Sequence, residues 1–300
     1  MRPDGSVVAA VVVSYKSRGY LERCLQSLAD AGVPVLVVVE NGADAGTEAE
    51  ARASGADWIE AGDNLGYGRA ANLGAGLPGV ADADYLLICN SDIEIEPGSV
   101  NVLTAALDAD PSIGAVGPRI LNTDGTLYPS ARTFPNMVDA MGHGLFGLVA
   151  PRNRFTRRYR MLDWDHAGAA TVGWISGACF LVRRTAWDAV RGFDPAFFMY
   201  LEDVDLCWRL NEAGWRISYE PRAEVLHVQG VSTDLHPYQM LVAHHRSLWL
   251  FARRTTVGAE RLALPVVLVG LMARLAVAVI RRRLAGRVEP SGPPDPRPLA

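Results

Sequence analysis

Three stretches of this chain are apolar at nearly every position and rich in β-branched residues: Val7–Val13, Val33–Val39 and Tyr85–Cys89. Short, uniformly apolar runs of this kind fit strands covered on both faces. Around them, apolar positions recur at helical spacing over roughly residues 19–30, 45–54, 66–77 and 98–109. Pro97-Gly98 marks the entry to the last of these helices and Asp110-Pro111 its exit. Strands alternating with short helices from Val7 to about Ile120 predict an α/β fold on a mostly parallel sheet. Ligands of such sheets gather at the carboxyl ends of the strands. Here those ends carry Ser14-Tyr15, Glu40-Asn41, Asp63-Asn64 and Asn90-Ser91-Asp92.

The second half is less regular. Arg132 to about Ala170 contains Pro135, Pro151 and a basic-aromatic run from Arg152 to Arg160. A strand-like run follows at Val172–Val182, then a helix opening near Asp203 with Leu206, Leu210 and Ala213 on one face, then a strand at Ala223–Val228. After Gly230 the chain turns helical and basic. Leu262–Ile280 is almost wholly apolar, broken by Arg274 and followed by Arg281-Arg282-Arg283. The expected division is a catalytic domain over 4–230, a helical, basic and apolar membrane-associating region over 231–285, and a disordered Pro-rich tail over 286–300.

Composition narrows the class. With 300 residues, 49% hydrophobic and 21% charged, the chain supports a packed core. A net charge of −4 argues against a general nucleic-acid binder. Lys16 is the only lysine, and many of the arginines lie after position 245. Cys24, Cys89, Cys179 and Cys207 are scattered, which reads as buried thiols in a reducing compartment. Val7–Val13 lacks the basic start and small-residue cleavage site of a signal peptide.

A carboxylate at the end of a buried strand, as at Asp92, can hold Mg²⁺ or Mn²⁺ against a diphosphate; the plain alternative is a turn or helix cap. Gly66-Tyr67-Gly68-Arg69-Ala70-Ala71 matches the dinucleotide fingerprint, with Asp84 downstream, so a nucleotide-binding oxidoreductase is a second reading. The run follows a third strand, however, where that fingerprint belongs after the first. Glu202-Asp203, behind Phe197-Phe198-Met199-Tyr200 and at a helix start, is a candidate general base; the alternative is a solvated cap. Asp205 is read as electrostatic support for the helix N-terminus. His227 is either a core histidine or a metal ligand, and His244-His245-Arg246 either contact phosphate or decorate a helix.

These residues together resemble glycosyltransferase family 2, the inverting enzymes of the GT-A fold. Four blocks carry the resemblance: the first strand with Ser14-Tyr15, the Asn64-Leu65-Gly66 loop, Asn90-Ser91-Asp92, and Gly192-Phe193-Asp194 through Glu202-Asp203-Val204-Asp205-Leu206-Cys207-Trp208-Arg209. Within the family the chain is similar to actinobacterial rhamnosyltransferases acting on polyprenyl-diphospho-N-acetylglucosamine, on the strength of Gly125–Arg132, Gly173–Gly177 and Ala243–Ser247. The resemblance implies a GT-A sheet with flanking helices and a C-terminal helical, membrane-associating segment. It implies transfer of L-rhamnose from dTDP-L-rhamnose to the lipid-linked sugar of the arabinogalactan linker, with Mg²⁺ or Mn²⁺; the alternative within the family is transfer of another sugar in polysaccharide or O-antigen assembly. Asp203 would be the base, with Glu202 beside it. Ser14, Tyr15, Glu40, Asn41, Asn64, Gly66, Asn90 and Ser91 would contact the nucleotide sugar. Asp92 and His227 would hold the metal, Trp174, Ser176, Gly177 and Arg132 the acceptor, and His244 and Arg246 a diphosphate. Two departures stand out: Glu40-Asn41-Gly42-Ala43-Asp44-Ala45-Gly46 replaces Asp-Asn-x-Ser-x-Asp-Gly, and Asn90 stands where many members have Asp.

Leu262–Ile280 approaches the roughly 20 residues of a membrane span, and Arg274 would be costly at a bilayer centre. Arg253, Arg254 and Arg261 before it and Arg281–Arg283 after it suit a helix lying on the anionic cytoplasmic face of the membrane. The alternative is a core helix packed on the catalytic domain.

Overall fold

The computed structural model describes residues 5–42, 44, 46–134, 153–159, 161, 164–228 and 236–284. Pro135, Pro151, Arg152 and the 286–300 tail lie outside them. The strands in chain order are β1 (Val8–Ser14), β2 (Val35–Glu40), β3 (Asp57–Glu60), β4 (Tyr85–Asn90), β5 (Ile93–Ile95), β6 (Ile113–Asn122), β7 (Leu127–Tyr128), β8 (Ala131–Arg132), β9 (Ala170–Val172), β10 (Trp174–Ile175), β11 (Cys179–Arg183) and β12 (Arg216–His227). The helices are α1 (Leu21–Asp30), α2 (Gly46–Ala53), α3 (Tyr67–Ala75), α4 (Pro78–Ala81), α5 (Ser99–Ala109), α6 (Arg154–Tyr159), α7 (Arg184–Val190), α8 (Glu202–Glu212), α9 (Pro237–Thr255) and α10 (Leu264–Leu284).

The main sheet runs β3-β2-β1-β4-β11-β6-β12-β5. Its first four strands are parallel, β11 is antiparallel to both neighbours, and β6 and β12 are parallel. The uniform apolarity of β1 reflects two cores. Ala9, Val11 and Val13 pack toward α3, whereas Val8, Ala10 and Val12 pack toward Leu21, Leu25 and Leu28 of α1 and Leu103 of α5. Each fully buried aliphatic side chain contributes about 1.5–3 kcal/mol, so both faces anchor the strand whose end carries Ser14. The four cysteines are free and buried.

The single strand expected over Val172–Val182 is three. Backbone from β8 crosses at Gly173, where an added Cβ would lie 2.4 Å from the Phe134 nitrogen. β9 pairs with β12, β10 with β8, and β11 with β4 and β6. The corner at Ser176-Gly177 therefore lies beside the end of β4, where the Asn90 N–H donates to the Ala178 carbonyl at 2.9 Å. The strand expected over Ala223–Val228 is the second half of the longer, irregular β12.

Helix α9 packs on the catalytic body and supplies Phe251 to the core. Helix α10 packs along α9. Its half-buried positions Leu264, Val267, Leu271, Arg274 and Ala278 recur at alternating spacings of three and four and form the contact seam. Val266, Val269, Met272, Val277 and Ile280 are exposed on the outer side. The core-helix alternative is overturned: Gly258–Leu284 is long and apolar enough to cross a membrane, and its apolar window of 18 residues, with mean hydropathy 2.4, has none of its residues buried. Arg274 belongs to the protein-facing seam.

Candidate active site

The ends of β1, β2 and β4 meet in a buried polar network. Ser14 and Thr47 hydroxyls donate to Glu40 Oε2 at 2.6 and 2.9 Å, and the Gly42 N–H donates to Oε1 at 2.8 Å. Ser17 links this group to the next strand, with its Oγ 2.9 Å from Ser14 Oγ and accepting from Ser91 Oγ at 2.7 Å. Glu40 is wholly buried, so its carboxylate, expected to contact a nucleotide, organises the loop that would do so. The extra methylene relative to Asp lets the carboxylate reach Thr47. Tyr15 lies over Gly42, where an added Cβ would come within 2.9 Å of the ring.

Asn41 and Asn64 brace the next loop. Asn41 Nδ2 donates to Asn64 Oδ1 at 3.1 Å, the Leu65 N–H donates to Asn41 Oδ1, and the Gly66 N–H to Asn64 Oδ1. Gly66 has φ 82°, and a Cβ there would sit 2.1 Å from the Phe198 carbonyl oxygen, which accepts the Tyr67 N–H. A Cβ on Gly68 would meet Phe193 at 2.8 Å. Both fingerprint glycines are thus required by protein packing: they let α3 dock on residues 193–198. Asn72 completes that docking by exchanging two hydrogen bonds with the Phe193 backbone. Asp84, the acid of the oxidoreductase reading, sits at the opposite end of β4 and accepts the Val7 N–H.

At the end of β4 a second group converges. His227 Nε2 is 3.2 Å from Asp92 Oδ1 and 3.2 Å from Asn90 Nδ2. The Val228 N–H donates to the Asp92 carbonyl, joining the tips of β4 and β12. His227 and Asp92 are both nearly buried, and Nδ1 of His227 has no hydrogen-bond partner. A carboxylate, an imidazole nitrogen and an amide facing one point fit a divalent cation such as Mn²⁺. Among the described residues no group of three or more His, Cys, Asp or Glu side chains is arranged to hold a metal ion, so Asp92 and His227 would supply two ligands and leave the rest to phosphate and water. Ser91, expected at the nucleotide sugar, turns its hydroxyl into the Ser17 network.

The third group carries the candidate base. Asp203 Oδ2 accepts the Gly177 N–H at 2.9 Å and Oδ1 accepts the Val204 N–H at 2.8 Å. The other side of that glycine is held by Tyr67, whose hydroxyl donates to the Gly177 carbonyl at 2.5 Å. Burial pushes the Asp203 carboxyl above the usual range, against the pull of those two N–H groups and the Arg132 guanidinium. Glu202 is pushed up to about 8 by burial and by the Asp203 charge, and its Oε2 is buried with no partner. The two adjacent acids diverge in role: Asp203 is hydrogen-bonded as a carboxylate beside Gly177, whereas Glu202 turns inward.

Arg132 stacks over Trp174 at 4.8 Å, on β8 and β10, which pair through these two residues. Trp174 Nε1 donates to the Thr133 carbonyl. The Ser176 N–H donates to Ser130 O, and Ser176 Oγ accepts the Ala178 N–H at 3.3 Å. The expected acceptor residues therefore form one wall beside Asp203. Asp205 departs from its expected role as a simple helix-end charge. It is fully buried between Arg209, at 2.7 Å, and Arg254, which also reaches Asp194. His244 lies against Tyr200, with ring centroids 5.2 Å apart. His245 turns inward to the Leu241 carbonyl, and burial lowers its pKa. Arg246 is exposed further along α9.

Sequence reasoning missed Ser17, Tyr67, Asn72, Ser247 and Arg254. Tyr67 appeared only within the dinucleotide fingerprint and Ser247 only within a family block; Arg254, expected with its neighbours at the membrane face, instead pairs with Asp194 and Asp205.

Comparison with known proteins bears on the fold and the class of protein. Residues 3–253 match the family model described as glycosyltransferase like family 2. The N-acetylglucosaminyl-diphospho-decaprenol L-rhamnosyltransferase of Mycobacterium tuberculosis is 40% identical, over 93% of this chain and 94% of that protein. The rhamnosyltransferase WbbL of Escherichia coli K12 is 27% identical, over 74% of this chain and 83% of its own length. Among solved structures, the mannosyltransferase of Pyrobaculum calidifontis with GDP-Man and Mn²⁺ superposes with TM-score 0.56 at 15% identity, covering 94% of this chain and 76% of that one. TarS of S. aureus with UDP gives 0.54 at 14%, covering 94% and 73%. The fold is GT-A and the protein is a glycosyltransferase. The chain belongs to glycosyltransferase family 2, which removes the oxidoreductase reading.

Proposed function

We propose that this protein transfers L-rhamnose from dTDP-L-rhamnose to polyprenyl-diphospho-N-acetylglucosamine at the cytoplasmic face of the membrane, with inversion at the anomeric carbon. The observation that carries this reading is the Gly177 corner, where Asp203 meets the end of β4 on one side and the wall of Arg132 and Trp174 beside it. A relative 40% identical along nearly the whole chain carries the choice of sugar and acceptor.

Asp203 accepts the proton of the acceptor hydroxyl as that oxygen attacks the anomeric carbon from the face opposite the diphosphate. The new C–O bond forms as the bond to the nucleoside diphosphate breaks, and the electron pair leaves with the diphosphate. Gly177 and Val204 N–H groups orient the carboxylate, and burial raises its basicity. Asp92 and His227 would hold a divalent cation, which when bound neutralises charge on the departing diphosphate. Arg132 and Trp174 position the acceptor sugar. The outer face of α10 and the Arg281–Arg283 cluster keep the site at an anionic leaflet.

The test is incubation of the protein with membranes and a panel of radiolabelled nucleotide sugars. The expected result is label in the lipid fraction from dTDP-rhamnose, dependent on Mg²⁺ or Mn²⁺. Label from another donor alone would replace the sugar in this assignment, and no label in lipid from any donor would reject it.

A further inference from the structure

Between residues 196–198 and the first turns of α9 lies an open groove of about 400 Å³. Ala196, Phe198, Met240, Val242 and Ala243 give it an apolar lining, and Arg246 stands at its edge. Resting on the lipid-acceptor reading, we infer that this groove holds the first isoprene units of the acceptor, with Arg246 on its diphosphate.

Four observations converge. The floor of the groove is the segment that delivers the base. Met199 accepts the Ser247 hydroxyl at 3.0 Å, Tyr200 and Leu201 follow with φ of 65° and 62°, and Asp203 comes two residues later. The groove wall is thus continuous along the chain with the residue that carries the reacting carboxylate. Tyr238 and Val242, which line the groove, are exposed on α9, the helix that packs along the apolar α10. At roughly 30 Å³ per water-sized heavy atom, a five-carbon isoprene needs about 150 Å³, so about two units fit. Finally, no described carboxylate pairs with Arg246, and a guanidinium beside an apolar trough complements a diphosphate joined to a hydrocarbon. His244, against Tyr200, lies on the adjoining turn of α9.

The experiment is photolabelling of the full-length protein with a diazirine-bearing farnesyl diphosphate, followed by peptide mapping. Label is expected on residues 196–198 and 238–246, suppressed by excess farnesyl diphosphate and partly by farnesol or inorganic pyrophosphate. Val242→Glu and Arg246→Gln, both at exposed positions, are each expected to weaken probe binding about tenfold while the donor KM stays unchanged. Ala243→Phe, which fills the trough with an apolar side chain, is expected to do the same without adding charge. Label confined to α10, competition by pyrophosphate with none by farnesol, or wild-type affinity in all three variants would overturn the assignment. The outcomes separate from those of the parent reading. Sugar transfer to lipid with label elsewhere removes the groove alone, whereas label in the groove with no transfer to any lipid removes the rhamnosyl reading alone.

Discussion

Two carboxylates adjacent in sequence, Glu202 and Asp203, meet different surroundings, and their chemistry follows. Asp203 keeps two backbone donors and so remains useful as an anion; Glu202 is buried with one oxygen unpartnered. For Glu202 the folded pKa, about 8, lies above the ordinary 4.5. Folding then favours the protonated form, so its contribution is least adverse below pH 4.5 and becomes destabilising as pH rises toward 8. Glu202→Gln is accordingly expected to gain about 2 kcal/mol at pH 7–8 and almost nothing at pH 4.5. Thermal melts of both proteins across that range check it; a stability gap that does not change with pH would contradict it. Asp205 shows the opposite economy, a buried charge held by two arginines. Arg254→Met leaves it with Arg209 alone and is expected to cost about 2 kcal/mol. Because Asp205 lies in the first turn of α8, kcat should fall as well, and equilibrium unfolding with steady-state kinetics measures both.

At the scale of elements, legibility depended on how evenly a segment is buried. β1, β2 and β4 are apolar on both faces, and the sequence pattern located them within two residues. β3, Asp57–Glu60, is an edge strand with exposed ends and left only a polar trace. β6 carries Gly114, Gly117 and Pro118 in its interior, which reads as a turn until the partners are known: a Cβ on Gly117 would meet Ile175 at 2.9 Å. The break of Val172–Val182 into three strands was hidden because the run is apolar throughout, while its pairing changes at each corner. The strand ends that carry Ser14 and Asn90 were legible because the apolar runs stop there, although a polar residue at such a tip serves a turn or cap equally well. The docking of α3 on residues 193–198 was not, since its glycines mimic another motif. Gly66→Ala tests that docking. Both its φ of 82° and the Phe198 carbonyl oppose a side chain, so at least about 2 kcal/mol of stability and most of the transferase activity should be lost. Near-wild-type behaviour would mean the loop is free to move.

At the scale of the whole molecule, a catalytic body and an apolar helix are joined by α9. Helix α9 touches the base segment through Ser247 and Arg254 on one side and α10 on the other. Removing residues after 257 is expected to leave a folded protein that no longer sediments with anionic vesicles and that binds donor normally, measured by co-sedimentation and calorimetry. Retained vesicle binding would place membrane contact elsewhere.

The central claim, that Asp203 takes the acceptor proton, is tested most directly by Asp203→Asn under single-turnover conditions with donor and lipid acceptor. The structure predicts donor affinity within about twofold of wild type and transfer slowed by about a thousandfold or more. Transfer at the wild-type rate would contradict it.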